Sequence, residues 1–135
     1  MERLEQIKGP ILNEFEVFKQ KFDASLQSSN PLLGEVINFI KQRKGKMMRP
    51  MLTLLMAKLC DEIKDSTYYV AISLELLHTA SLVHDDVVDE SDKRRGQSSV
   101  NAIYDNKVSV LVGDYLLATS LTNAAMTGDV RLVEL

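Results

Sequence analysis

Apolar residues return every three or four positions along almost the whole chain, which is the spacing of one helix face and not of a strand. Leu4, Ile7, Ile11, Leu12, Phe15, Phe18 and Phe22 fall on one side of an N-terminal helix, with Gly9-Pro10 placed to interrupt or restart it. Asn30-Pro31 supplies a cap and a first-turn proline for a helix carrying Leu33, Val36, Ile37 and Ile40, which should stop near Gly45. Pro50 starts the next helix, through Leu52, Leu55, Met56 and Leu59. Asp65 or Ser66 can cap a long helix that runs to about Asp89. "GQSS" breaks the period, and "NKVSVLVGDYLLATSLTNAAM" makes a second long helix ending at Thr127-Gly128. The last seven residues open a further one. No run alternates as a strand does, and no repeat or low-complexity linker divides the chain. The pattern predicts an all-α fold in a single region, 1–135.

Composition sets bounds on this picture without changing it. At 135 residues the chain can enclose a hydrophobic core. Its 45% apolar and 26% charged residues are those of a globular protein. A net charge of -3 gives no reason to expect nucleic acid or an anionic membrane as partner. Cys60 is the only cysteine, which excludes an internal disulfide and a cysteine-based zinc cluster. With no signal-peptide pattern and no apolar run of spanning length, a cytoplasmic protein is expected.

Charge does change the reading of one helix. "LLHTASLVHDDVVDESDKRRG", Leu76 to Gly96, runs from core-like positions into five acids, Asp85, Asp86, Asp89, Glu90 and Asp92, and then into Lys93, Arg94 and Arg95. His78, Asp85 and Asp89 keep helical spacing, whereas Asp86 points to another side. Carboxylates about one turn apart, with Cβ atoms about 6 Å from each other, repel if buried together. A divalent cation removes that conflict, and Mg2+ takes one or two protein carboxylates with water and phosphate filling the other positions. The other reading is a helix end that merely reaches solvent, but acids are unfavourable at a helix C-terminus. His84 is expected to be solvated or hydrogen-bonded.

A second cluster, "KQRKGKMMRP" from Lys41 to Pro50, holds five cations and no acid. A solvated linker would have this composition, and so would a phosphate site. Gly45 allows close backbone approach, while Lys46 and Arg49 flank a helix start whose N–H groups favour anions. Arginine adds forked hydrogen bonds to phosphate.

"GKMMRP" followed by "LLHTASLVHDDVVDESDKRRG" resembles the GKxxRP and first aspartate-rich DDxxD regions of the trans-polyprenyl diphosphate synthases. "VGDYLLATSL" resembles the helix that follows in that family. The likeness spans Gly45 to Leu121. It implies an antiparallel helical bundle of the isoprenoid synthase type, of which this chain is the N-terminal portion. It implies a prenyltransferase that joins isopentenyl diphosphate to an allylic diphosphate. By motif position, Lys46, Arg49, His78 and Arg95 would bind isopentenyl diphosphate, and Arg94 the allylic diphosphate. Asp85 and Asp89 would hold Mg2+ as cofactor, with Asp86 supporting them from behind. Asp85, Asp89 and Arg94 are thus the expected catalytic set. A homodimer is implied too, with membrane contact through the product alone.

The family sets product length by the size of side chains shortly before this motif. Ala80, Ser81 and Leu77 lie there, and the small pair would leave a tunnel open to a medium or long product. The chain departs from the family in one large respect. Members are much longer and carry a second DDxxD, whereas after Asp92 this sequence has only Asp105, Asp114, Asp129 and Glu134 as acids. The expectation is the N-terminal half of a synthase, with little or no activity alone. A non-catalytic helical module that associates through uncovered apolar faces is a second reading. A class I terpene cyclase fragment is a third, weakened by the GKxxRP and RRG elements that serve a second diphosphate.

Overall fold

A computed structural model of the chain describes residues 2–42, 47–94 and 96–134. It is predominantly helical, as the periodicity predicts. Helix α1 spans Glu2–Lys8, and Gly9-Pro10 tightens the chain into a 3-10 turn, Gly9–Ile11, before α2 resumes at Leu12–Ser25. Helix α3 is Pro31–Gln42, and the Asn30 Oδ1 accepts from the N–H groups of Leu32 and Leu33 at 3.0 and 3.1 Å. That is the predicted cap in operation. Helices α4 and α5 follow at Met48–Cys60 and Asp65–Val88. A short α6, Val100–Ile103, leads into α7, Asn106–Met126, and α8 covers Val130–Glu134.

Three local expectations are corrected. Helix α4 begins two residues before Pro50, whose missing N–H costs nothing because first-turn N–H groups have no helical partner. Helix α5 is capped by neither Asp65 nor Ser66; the Thr67 hydroxyl accepts from the Lys64 N–H at 3.1 Å. Strand structure is also present, as an antiparallel hairpin of β1, Lys93–Arg94, and β2, Gln97–Ser98. Two-residue strands are too short to show alternation in a sequence.

The core forms around α5. Helix α7 packs along it in antiparallel sense, since Ser73 meets Ser120 while His84 meets Val110 and Asp114. The two serines bond reciprocally: the Ser73 hydroxyl donates to the Ser120 carbonyl at 2.9 Å, and the Ser120 hydroxyl to the Ser73 carbonyl at 2.8 Å. At the far end of the pair, His84 Nε2 lies 3.2 Å from the Val110 carbonyl oxygen and 3.3 Å from Asp114 Oδ1. Gly113 makes this approach possible, because a Cβ there would overlap the His84 ring. On the other side of α5 lie α2 and α4, with Phe18, Leu54, Ile72 and Leu76 buried between them. Lys58 ties α4 to the N-terminal turn by donating to the Pro10 carbonyl at 2.6 Å.

Candidate functional site

Successive helix residues turn by about 100°, so α5 presents several distinct faces. One face, Leu74, Leu77, Ser81, Asp85 and Val88, is exposed. The neighbouring face, Glu75, Thr79, Leu82 and Asp86, lines a cleft of about 430 Å³. His78 lies between the two faces and also reaches the cleft. The remaining walls come from the ends of α2 and α3, the first turn of α4 with Arg49, and the hairpin with Arg94 and Gln97. Apolar residues such as Phe22, Leu76 and Leu116 form its lining beneath these polar groups.

Asp86 organises the hairpin side of this cleft. Its side chain is 7% exposed, and Arg94 Nε donates to its two oxygens at 3.0 and 3.3 Å, with Nη2 at 2.9 Å. The bond is possible because α5 stops where it does. The Ser91 N–H returns to the Asp86 carbonyl at 2.9 Å and the Glu90 N–H to that of Val87 at 3.2 Å, a Schellman turn. Glu90 occupies the left-handed position of that turn at φ 54, where glycine is usual. The Ser91 carbonyl then accepts from the Ser99 hydroxyl at 2.8 Å and the Asn101 amide at 3.0 Å. These bonds return the chain beside α5, so Arg94 is aimed by the backbone as well as by Asp86. Met47, directly before α4, is the other non-glycine residue with positive φ among the described residues. The two strained positions therefore adjoin the elements that carry Arg49 and Arg94.

Asp86→Ala is expected to cost about 1–3 kcal/mol, towards the low end because Arg94 is 33% exposed and keeps some water. Faster amide exchange at Ser98 and Ser99 than at Ser120 would place the loosening in the hairpin. Uniform exchange changes would show that Asp86 does not hold the hairpin.

The predicted site residues divide into groups. Asp85 and Asp89 are exposed near the end of α5, and among the described residues neither forms an ion pair. Asp89 is the C-cap residue of that helix. Arg49, His78, Asp86 and Arg94 share the cleft. Ser81 and Leu77 lie on the open face, but Ala80 does not join them. It is 2% exposed, at helical spacing from Ser73 and His84 on the side that meets α7. A residue beside Ser81 in sequence is a quarter turn away in space, so the smallness of Ala80 serves the α5–α7 contact. Lys46, Arg95 and Gly45 lie outside the described residues.

Lys41 of the basic cluster also lines the cleft, and so do Glu75, Thr79 and Gln97, which no motif marks. Glu75 and Thr79 stand eleven and seven residues before Asp86, a helical spacing that could have found them. Burial pushes the Glu75 carboxyl above its usual range, while the Arg49 guanidinium pulls in the opposite direction.

Comparison with known proteins identifies the family of this fold. The family model for polyprenyl synthetase matches residues 30–135. Heptaprenyl diphosphate synthase component 2 of Bacillus subtilis is 38% identical over 109 residues, covering 81% of this chain and 31% of that protein. The crystal structure of a decaprenyl diphosphate synthase from Rhodobacter capsulatus superposes with a TM-score of 0.90 at 37% identity, covering 97% of this chain and 41% of that one. Geranylgeranyl pyrophosphate synthase from Bacteroides thetaiotaomicron superposes with a TM-score of 0.75 at 52% identity, over 95% and 37% of the respective chains. The chain thus spans well under half the length of these proteins. Both the motif-bearing helices and the matched region place the chain in the polyprenyl synthetase family.

Proposed function

We propose that the chain supplies one substrate-binding wall of a Mg2+-dependent prenyltransferase. The reaction condenses isopentenyl diphosphate with an allylic diphosphate, giving a medium- to long-chain all-trans polyprenyl diphosphate. The observation that carries this reading is the cleft where Arg49, His78 and Arg94 converge beside the Asp85 end of α5. Three groups suited to phosphate from three elements, above an apolar lining, fit a ligand with an anionic head and a hydrocarbon tail.

The carboxylates suit the metal. Asp86 is engaged by Arg94, which leaves Asp85 and Asp89 for the ion, a number typical for Mg2+. When bound, Mg2+ supplies charge neutralisation to the departing pyrophosphate. Arg94 pairs with Asp86 through Nε and Nη2, which leaves Nη1 for the allylic diphosphate. Its charge stabilises the oxygen that receives the electron pair as the allylic C–O bond breaks. Arg49 and His78, with Lys46 and Arg95, hold isopentenyl diphosphate so that its double bond faces the allylic carbon. Attack of that double bond on the allylic carbon forms the new C–C bond, and the proton then lost from the carbon beside the resulting cation goes to the released pyrophosphate. Leu76 and Leu116 help exclude water from the cation.

Product length rests on Ser81 and Leu77, whose exposed face would form part of the tunnel wall. The similar proteins carry names for both short and long products, so the length is proposed from these side chains alone. A homodimer and a cytoplasmic location complete the proposal. A second reading, a non-catalytic helical subunit, draws on the exposed Leu74, Leu77 and Val88 of α5.

One assay separates the two. The full-length protein is incubated with labelled isopentenyl diphosphate, farnesyl diphosphate and Mg2+. Labelled chains longer than the primer are expected, and their absence would favour the subunit reading.

A further inference from the structure

Glu75 is the acid in the cleft that the mechanism above does not use. It lies on the same face of α5 as Asp86, and it shares the cleft with Arg49 from α4. Its Oε2 is fully buried and receives no hydrogen bond from any described residue. A carboxylate so placed in a site for anions repels the ligand unless its charge is directed onto a cation. The hairpin side of the cleft already does this, with Asp86 holding Arg94 from behind. Arg49 is the cation whose field reaches Glu75 on the other side.

We propose that Glu75 is a positioning residue for Arg49: its carboxylate engages one edge of the guanidinium, so that the other edge faces the diphosphate in a fixed orientation. The proposal rests on the reading of the cleft as a diphosphate site. A guanidinium has five N–H donors in a planar fork, enough to serve a carboxylate and a diphosphate together. Both carboxylates are on α5, whereas both arginines come from elements packed against it. Helix α5 thereby orients cations supplied by α4 and by the hairpin. A buried Oε2 with no partner among the described residues fits a contact that closes when an anion draws Arg49 inward.

The test is a double-mutant cycle in the full-length protein, titrated calorimetrically with inorganic pyrophosphate in the presence of Mg2+. Glu75→Gln keeps the shape and removes the charge. It should weaken binding about tenfold, within the range of coupled contacting residues. In an Arg49→Gln background the same change should cause no further weakening. A purely structural role would lower the melting temperature and weaken binding equally in both backgrounds, which overturns the proposal. Tighter binding by Glu75→Gln alone also overturns it, because the carboxylate would then only repel. If Glu75→Gln does not fold, Glu75→Asp takes its place and should retain part of the coupling. Failure of the unmodified chain to bind pyrophosphate would remove the diphosphate reading itself, and the proposal with it.

Discussion

Asp85→Ala in the full-length protein should lower turnover by about 100- to 1000-fold, the scale of losing one preorganised electrostatic contact in an active site. Stability should move the other way or not at all. Asp85 is exposed near the C-terminal end of α5 and forms no ion pair among the described residues, so its removal breaks no fold contact. It also takes a negative charge away from the negative end of the helix dipole, a gain of about 0.3–1 kcal/mol. A steady-state assay paired with thermal unfolding reads both quantities. Collapse of activity with an unchanged or raised melting temperature is the expected signature of a residue kept for chemistry. Retained turnover would remove Asp85 from the proposed metal site.

Phe18→Ala should destabilise the chain by about 3–5 kcal/mol, the usual cost of emptying a buried aromatic position. Phe18 is fully buried, with its ring 5.9 Å from that of Phe15 and 5.6 Å from that of Phe22. Such a loss is a large share of the roughly 5–15 kcal/mol that holds a domain together. The effect should reach the cleft, because Phe22 lines it. Urea unfolding would show a lowered midpoint at constant slope. A cost below about 1 kcal/mol would mean that α2 can leave the core without consequence.

The helices were legible because they follow a rule that every residue repeats. The Asn30 cap, the Gly9-Pro10 interruption and the extent of α7 each depend on residues adjacent in sequence. What stayed hidden depends on how faces are divided. Ser81 and Ala80 are neighbours in the chain, yet one is exposed and the other packs towards α7, and only the positions of the other helices decide which. The acidic run divides in the same way. Its spacing sets Asp86 apart from Asp85, but only the hairpin decides that Asp86 is buried against Arg94. Glu75 does not stand out in the sequence, because a lone acid ten residues from the motif looks like an ordinary polar position. Its setting comes from α4, which no local pattern announces. The hairpin leaves no local signal, since its pairing is fixed by Ser91 and Asp92 binding across to Ser99 and Asn101.

The reciprocal serines and the His84 contact have a mechanical meaning. They fasten α5 to α7 at two stations, one near Ser73 and one at His84, each with its own matched partners. A slip of one helix along the other by a single turn, about 5.4 Å, would unmake every one of these bonds and drive the His84 ring away from the space left by Gly113. The pair therefore behaves as a fixed rail. Opening and closing around a ligand would then fall to the other walls of the cleft: the ends of α2 and α3, the first turn of α4 and the Arg94 hairpin.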